Sequence, residues 1–385
     1  MAPVAKRQER AWPKLSEAQR AVLLEVLIHG SRSRADLSRR LGLSRTSLSR
    51  LSRELVDLGI VAEGEIRPVA GRGRPSEMLL IRPEAAAFVG IKLTGDALYL
   101  AVTDLHATVV HQQEQAIESR EVADVVAQIG AAVEALRADF PALAAVGVCL
   151  AGDVAGAGDV SGSGDRELIV GSHFLGWDQV PLSDLVREAT GLPAVASNDV
   201  QSLTAAHHWF GAGVGLRSFA VIGLGMGIAA GIVVNGTIIK GSRGHPGKVG
   251  HLPVTAEGPS CDRGHVGCVS AYATAPAIIR NAEADSYADA VRKARVGDRV
   301  AQNAFTSAGE ALGAAIAAIV NLVDPEKVVV TGEGLPVLEL AEAATTRGMR
   351  DRLDPAAEPV PITRHEFDFG AYAWAAAITA IRHVV

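Results

Sequence analysis

At 385 residues the chain is too long for one hydrophobic core and divides into about two or three domains. Hydrophobic residues make up 48% but aromatics only 4%, with 40 glycines, so the core is built from Ala, Val, Ile and Leu between tight turns, as in an α/β protein. Three cysteines, Cys149, Cys261 and Cys268, argue against a disulfide framework and for reduced thiols or a metal site. Residues 1–7 are basic but precede no apolar region, and the longest apolar run, 314–320 with its neighbours, is short for a membrane span. A cytosolic chain with no membrane partner is expected.

Charge is divided unevenly. Residues 1–82 hold 16 Lys and Arg against 9 Asp and Glu, whereas the remaining 303 hold 21 against 34. A basic head on an acidic body is the footprint of phosphate binding by one part only, since counterion release rewards Lys and Arg where they face the backbone.

An N-terminal arm, 1–15, leads into a domain at 16–82. Ser16 with Gln19 forms a capping-box pattern before a helix carrying Val22, Val26 and Leu27, which Gly30 ends. Ser33 with Asp36 opens a short second helix that Gly42 breaks. Ser44 then caps a third, with Leu48, Leu51, Leu55 and Leu58 predicted on its inward face and Arg45, Thr46, Ser49, Arg50 and Arg53 opposite. In a helix-turn-helix the second helix of the pair enters the major groove by its N-terminal end. This makes Ser44, Arg45, Thr46, Ser47, Arg50 and Arg53 the candidate DNA contacts. A helical bundle with a solvated basic face is the alternative. Beyond Gly59, extended segments 60–62 and 78–81 flank Gly71-Arg-Gly-Arg-Pro75, a pattern that predicts a wing. Arg72 and Arg74 would lie in the narrow minor groove of A·T-rich DNA, unless the stretch is a linker.

The body, 83–385, repeats one plan. Segments 87–92, 97–103 and 144–150 read as strands and 122–139 as a helix; strands at 218–224 and 227–234, a helix at 300–323 and a strand at 328–331 follow. The prediction is an α/β fold: a winged helix-turn-helix, then a duplicated actin-like, sugar-kinase-like domain of two lobes. Lobe one spans 83–200 with a C-terminal helix at 371–385, and lobe two spans 201–370.

Ala151-Gly152, Gly176-Trp177, Ser197-Asn-Asp199, Gly223-Leu-Gly-Met-Gly227, Gly247-Lys-Val-Gly-His251 and Cys261-Asp-Arg-Gly-His-Val-Gly-Cys268 follow the winged head in that order. The set resembles the ROK family (repressors, open reading frames and sugar kinases) in its transcriptional-regulator branch, over nearly the whole chain from residue 16. The resemblance implies a sugar-binding cleft between two lobes, a structural zinc, and a homodimer or dimer of dimers on an inverted-repeat operator. It points to a repressor of carbohydrate uptake or catabolism genes. The alternatives are a sugar kinase with an appended head and a ligand-independent regulator.

Carried over residue by residue, the family implies ligand contacts at Gly152, His173, Asn198, Asp199, Lys248, His251 and Ser270. His173, Lys248 and Ser270 stand where the family has an asparagine and two glutamates. The site therefore gains positive character and favours an anionic sugar, such as a sugar phosphate, over a neutral one. Asn198-Asp199 would equally serve as a strand-end turn capping the helix that starts near Val200. The kinase turn Asp-x-Gly-Gly-Thr corresponds to 90–95, where Lys92 replaces the aspartate and the glycine pair is lost; Leu224 stands for a threonine in the second phosphate loop. Neither ATP binding nor catalysis is expected. Of the family's zinc ligands His251, Cys261 and Cys268 remain, and Arg263 occupies the middle cysteine's place. His265 completes a His2Cys2 shell if it turns inward; otherwise Arg263 fills the space of a lost ion.

Overall fold

The computed structural model describes residues 12–67, 76–155, 167–241, 244 and 246–385. The head begins with α1 (Glu17–His29), where the Ser16 side chain accepts the Gln19 N–H and the Gln19 side chain accepts the Ser16 N–H. Two otherwise orphan amide donors are thereby satisfied. A short β1 (Arg32–Ser33) leads to α2 (Arg34–Leu41), capped by Ser33 and stopped by Gly42 in the left-handed region. Then follow α3 (Arg45–Asp57), capped by Ser44, and an antiparallel hairpin of β2 (Val61–Arg67) and β3 (Ser76–Ile81). Leu48, Leu51 and Leu55 are buried as expected, but Leu58 is 39% exposed, because α3 stops at Asp57 and leaves Leu58 as its cap. Arg34 ties the head together: its guanidinium donates to Ser52 on α3 and pairs with Glu63 and Glu77 on the hairpin.

After the head come β4 (Ala87–Leu93), β5 (Ala97–Asp104), β6 (Val109–Ala116), α4 (Val122–Leu136), β7 (Leu143–Leu150), β8 (Asp153–Ala155), β9 (Leu168–Gly171), α5 (Leu182–Thr190), β10 (Ala194–Asn198) and α6 (Asp199–Phe210). The next stretch holds β11 (Phe219–Leu224), β12 (Ile228–Val234), β13 (Thr237–Ile238), α7 (Val269–Ala273), α8 (Ala275–Asn281), α9 (Tyr287–Arg295), α10 (Arg299–Val323), β14 (Val328–Thr331), α11 (Pro336–Leu340), α12 (Glu342–Arg350) and β15 (Ile362–Arg364). The chain closes with α13 (Phe369–Val384).

Two compact units result, one running to Gly215 and taking in Phe369–Val385, the other Leu216–Asp368. The lobe boundary drawn from sequence at 200/201 falls inside α6, whose residues belong wholly to the first unit. The five-stranded sheets are ordered β10-β7-β4-β5-β6 and β13-β12-β11-β14-β15. Counted from its own first strand, each is an antiparallel three-strand meander with two further strands added in parallel beside the first. This shared order is the duplication expected from the sequence.

In the first unit α13 covers the central strands at very short range. A Cβ on Gly90 of β4 would strike the Ala373 carbonyl and the Ala377 amide, and one on Gly147 of β7 the Ala376 carbonyl. Glycine on the sheet and alanine on the helix allow this backbone-to-backbone packing. In the second unit α10 is long and apolar enough to cross a membrane by length and composition, which the sequence reading did not anticipate. Its Ala308, Leu312, Ala315 and Ile316 are fully buried in that unit's core.

Candidate functional site

The solvent face of α3 is a shallow depression lined by Arg45, Thr46, Ser49, Arg50 and Arg53. The Ser44 hydroxyl accepts the Ser47 N–H at 3.1 Å, so the helix N-terminus and the Ser44–Ser47 pair are fixed before any partner arrives. Arg50 donates to Glu54 at 2.7 Å, and Glu54 also accepts from Gln19 of α1. Glu54 thus orients Arg50. Arg72 and Arg74 lie outside the described residues.

In the first unit, the sequence-predicted Gly152, Asn198 and Asp199 are brought together. The Asn198 Oδ1 accepts the Val200 and Gln201 amides at 2.9 and 3.3 Å, and its Nδ2 donates to the Gly152 carbonyl at 2.9 Å. Asn198, not Asp199, is therefore the cap of α6. His173 is exposed in the turn between Ser172 and Trp177, whose backbones pair.

Asp199 is buried, and its Oδ2 accepts from Lys92 Nζ at 2.7 Å while Oδ1 accepts the Val200 amide at 2.9 Å. Lys92 is 3% exposed, and its ammonium lies 4.5 Å from the centre of the Tyr372 ring on α13. The two residues that sequence reasoning treated separately, one as a kinase loss and the other as a sugar contact, thus form one buried ion pair. Cys149, opposite Lys92 on β7, is fully buried, and desolvation pushes its thiol up to about 12, which leaves it unreactive. At the far end of α6, Arg382 of α13 stacks on Trp209 at 4.3 Å, its Nη1 3.5 Å from His208 Nδ1. Burial and then the Arg382 charge bring the His208 imidazole down to about 4.

In the second unit, Lys248 is exposed just before a 3-10 turn, Val249–His251. Ser270, buried on α7, sets its hydroxyl 2.5 Å from where a Cβ on Gly250 would stand, beside His251. His251 also joins Cys261, His265 and Cys268, whose ligand atoms all lie within 4.8 Å of one another. The Nδ1 atoms of His251 and His265 are 3.2 Å apart, and Cys261 Sγ is 3.8 and 3.6 Å from them. A tetrahedral zinc, with bonds near 2.3 Å to sulfur and 2.0–2.1 Å to nitrogen, separates its ligands by about 3.3–3.8 Å; His251, Cys261 and His265 stand close to that spacing, and Cys268 Sγ lies within 4.8 Å of each. Burial and the neighbouring His265 hold His251 below its ordinary value. His265 has turned inward. Arg263 is exposed beside Asp262 and fills no ligand space. Gly267 permits the loop's reversal, with φ +63° and a Cβ position that collides with the Thr255 carbonyl.

The ROK family model matches residues 88–376. The chain belongs to the ROK family. Its relatives over most of their length include the DNA-binding transcriptional repressor Mlc of Escherichia coli, 24% identical over 337 residues (81% of this chain, 79% of that one). The xylose repressor of Bacillus subtilis is 26% identical over 320 residues, covering 81% and 80%. A solved ROK-family transcriptional regulator, a homologue of E. coli Mlc, superposes with a TM-score of 0.81 at 24% identity, covering 95% of this chain and 96% of that one. A ROK-family glucokinase from Streptomyces griseus superposes with a TM-score of 0.65 at 24% identity, covering 77% of this chain and all of that one. The curated repressors match about four fifths of this chain and of their own length, whereas the glucokinase structure covers 77% of this chain.

Two features escaped sequence reasoning: the Lys92–Asp199 pair and a glutamate, Glu333, that reaches the Gly223–Gly227 loop.

Proposed function

We propose that this ROK protein is a DNA-binding repressor of carbohydrate uptake or catabolism genes, acting in the cytoplasm as a homodimer or dimer of dimers on an inverted-repeat operator with A·T-rich flanks. The observation that carries the reading is the capped α3, presenting Arg45, Thr46, Ser49, Arg50 and Arg53 on one solvent face of a head held by Arg34. Gel shifts against upstream DNA test it. Arg45→Ala and Arg50→Ala are expected to weaken operator binding by about 1–3 kcal/mol each where they read bases. Unchanged affinity in both would remove α3 from the interface.

We infer that the protein transfers no phosphoryl group. Both Asp199 oxygens are already engaged, one by an ammonium, so the carboxylate is poorly placed to take a hydroxyl proton. A coupled assay with ATP, magnesium and glucose, N-acetylglucosamine, mannose or xylose should show no turnover. Rates of about 1–100 per second would refute this. Within the first unit the candidate effector contacts are Gly152, His173, Asn198 and Asp199; within the second, taken by itself, they are Lys248, His251 and Ser270, where the Lys248 ammonium favours a phosphorylated or acidic sugar. Calorimetry on paired neutral and phosphorylated sugars decides it, tighter binding of the neutral member counting against the charge argument. His251, Cys261, His265 and Cys268 would hold a zinc ion; four protein donors leave no open position, so its role is structural.

A further inference from the structure

β11 and β14 run parallel side by side in the second unit, and each ends in a glycine turn, Gly223–Gly227 after the first and Gly332-Glu-Gly334 after the second. The turns are pressed together. The Gly334 N–H donates to the Leu224 carbonyl at 2.8 Å, and a Cβ on either Gly332 or Gly334 would run into Leu224. Glycine is thus needed on both sides of Glu333, and the single side chain this turn carries projects over its neighbour. Glu333 Oε1 accepts the Met226 N–H at 2.9 Å. A Cβ added to Gly225 would stand 2.7 Å from both Oε1 and Cδ, so the carboxylate lies directly on the glycine. Main-chain amides of a glycine turn at a strand end make an anion cradle.

We propose that Glu333 is a built-in anion: its carboxylate fills the phosphate cradle of the Gly223–Gly227 loop and closes the second unit to nucleoside triphosphates, pyrophosphate and related polyphosphates. Three effects combine. The Met226 amide is already bonded, the space over Gly225 is filled, and a fixed negative charge repels an incoming anion. Glu333 also walls a hollow lined by Tyr287, Val291, Arg292, Arg295 and Pro336. The inference rests on the reading that the chain is no phosphotransferase, yet binding and not turnover tests it.

Calorimetric titration of the full chain with pyrophosphate, and with a non-hydrolysable ATP analogue, compares wild type with Glu333→Gly and Glu333→Gln. Wild type should show no saturable binding at millimolar ligand. Glu333→Gly should bind pyrophosphate at least about tenfold more tightly, a change of about 1.4 kcal/mol. Glu333→Gln, which keeps the bulk but not the charge, should gain less. Melting curves establish that the variants are folded, and if the glycine variant is not, the glutamine variant decides. Wild-type binding equal to the variants', or no gain in a folded variant, overturns the proposal. Sugar phosphorylation by the wild type would sink the non-kinase reading, whereas equal pyrophosphate binding without turnover would sink only the filled cradle.

Discussion

Removing the Lys92 ammonium should unfold the first unit at markedly lower temperature. The side chains of Lys92 and Asp199 are 4% and 11% exposed and meet at 2.7 Å, so Lys92→Met strands a buried carboxylate that keeps only the Val200 amide. Breaking a buried pair by deleting one partner costs about 3–5 kcal/mol. At about 2–4 °C per kcal/mol for a unit of this size, the melting temperature should fall by about 6–20 °C. Asp199→Leu should be comparably harmful, since Lys92 would retain chiefly the Tyr372 ring. The double variant should recover much of the loss, giving a coupling of at least about 2 kcal/mol. Intrinsic fluorescence isolates this unit, because Trp12, Trp177, Trp209 and Trp374 all belong to it. Additive single effects, or single losses below about 1 kcal/mol, would show that the pair is not a coupled buried contact.

Elemental analysis should find one zinc per chain; His265→Ala should lose it and melt earlier, while Arg263→Ala should retain it. Zinc kept in the His265 variant excludes that ligand. Because His208 is held at about 4 against an ordinary 6.5, the unfolded state binds its proton first on acidification. The contribution of a neutral His208 is complete above about 6.5 and is lost as pH falls toward about 4. His208→Gln should flatten that slope in melting temperature, and an unaltered slope would assign the acid sensitivity elsewhere. Gly90→Ala, whose methyl meets the α13 backbone, should cost at least about 1–3 kcal/mol by overpacking. An unchanged melting temperature would mean that α13 gives way.

What was legible in the sequence was what local chemistry decides. Ser16, Ser33 and Ser44 each cap through a partner three residues on, so three helices could be located without tertiary information. β7, buried on both faces, announces itself as a continuous apolar run, and β4 is one broken only by Lys92. β6 does not: as an edge strand, Val-Val-His-Gln-Gln-Glu-Gln-Ala is mostly exposed and shows neither a run nor a clean alternation. At the sites, spacing revealed which residues were unusual but not which met. Lys92 and Asp199 are 107 positions apart, and Glu333 lies 107 from Met226, so each pairing depends on strand order. Whether His265 or Arg263 turned inward was likewise a matter of loop geometry, decided by the reversal at Gly267.

The seating of α13 on β4 and β7 also sets an order of events during synthesis. The central strands leave the ribosome long before the helix that covers them, and the whole stretch from Leu216 to Asp368 is translated in between. At about 5–20 residues per second that interval lasts about 8–30 s. Throughout it the helix-facing side of a glycine-bearing apolar sheet lacks its lid, and the Tyr372 ring that will lie against Lys92 does not yet exist. The head, complete by Ile81, can meanwhile fold on the nascent chain. A ribosome stalled before residue 369 would therefore display a folded winged head tethered to a sticky, unfinished sheet, a state in which chaperone capture and DNA binding could compete for the same polypeptide.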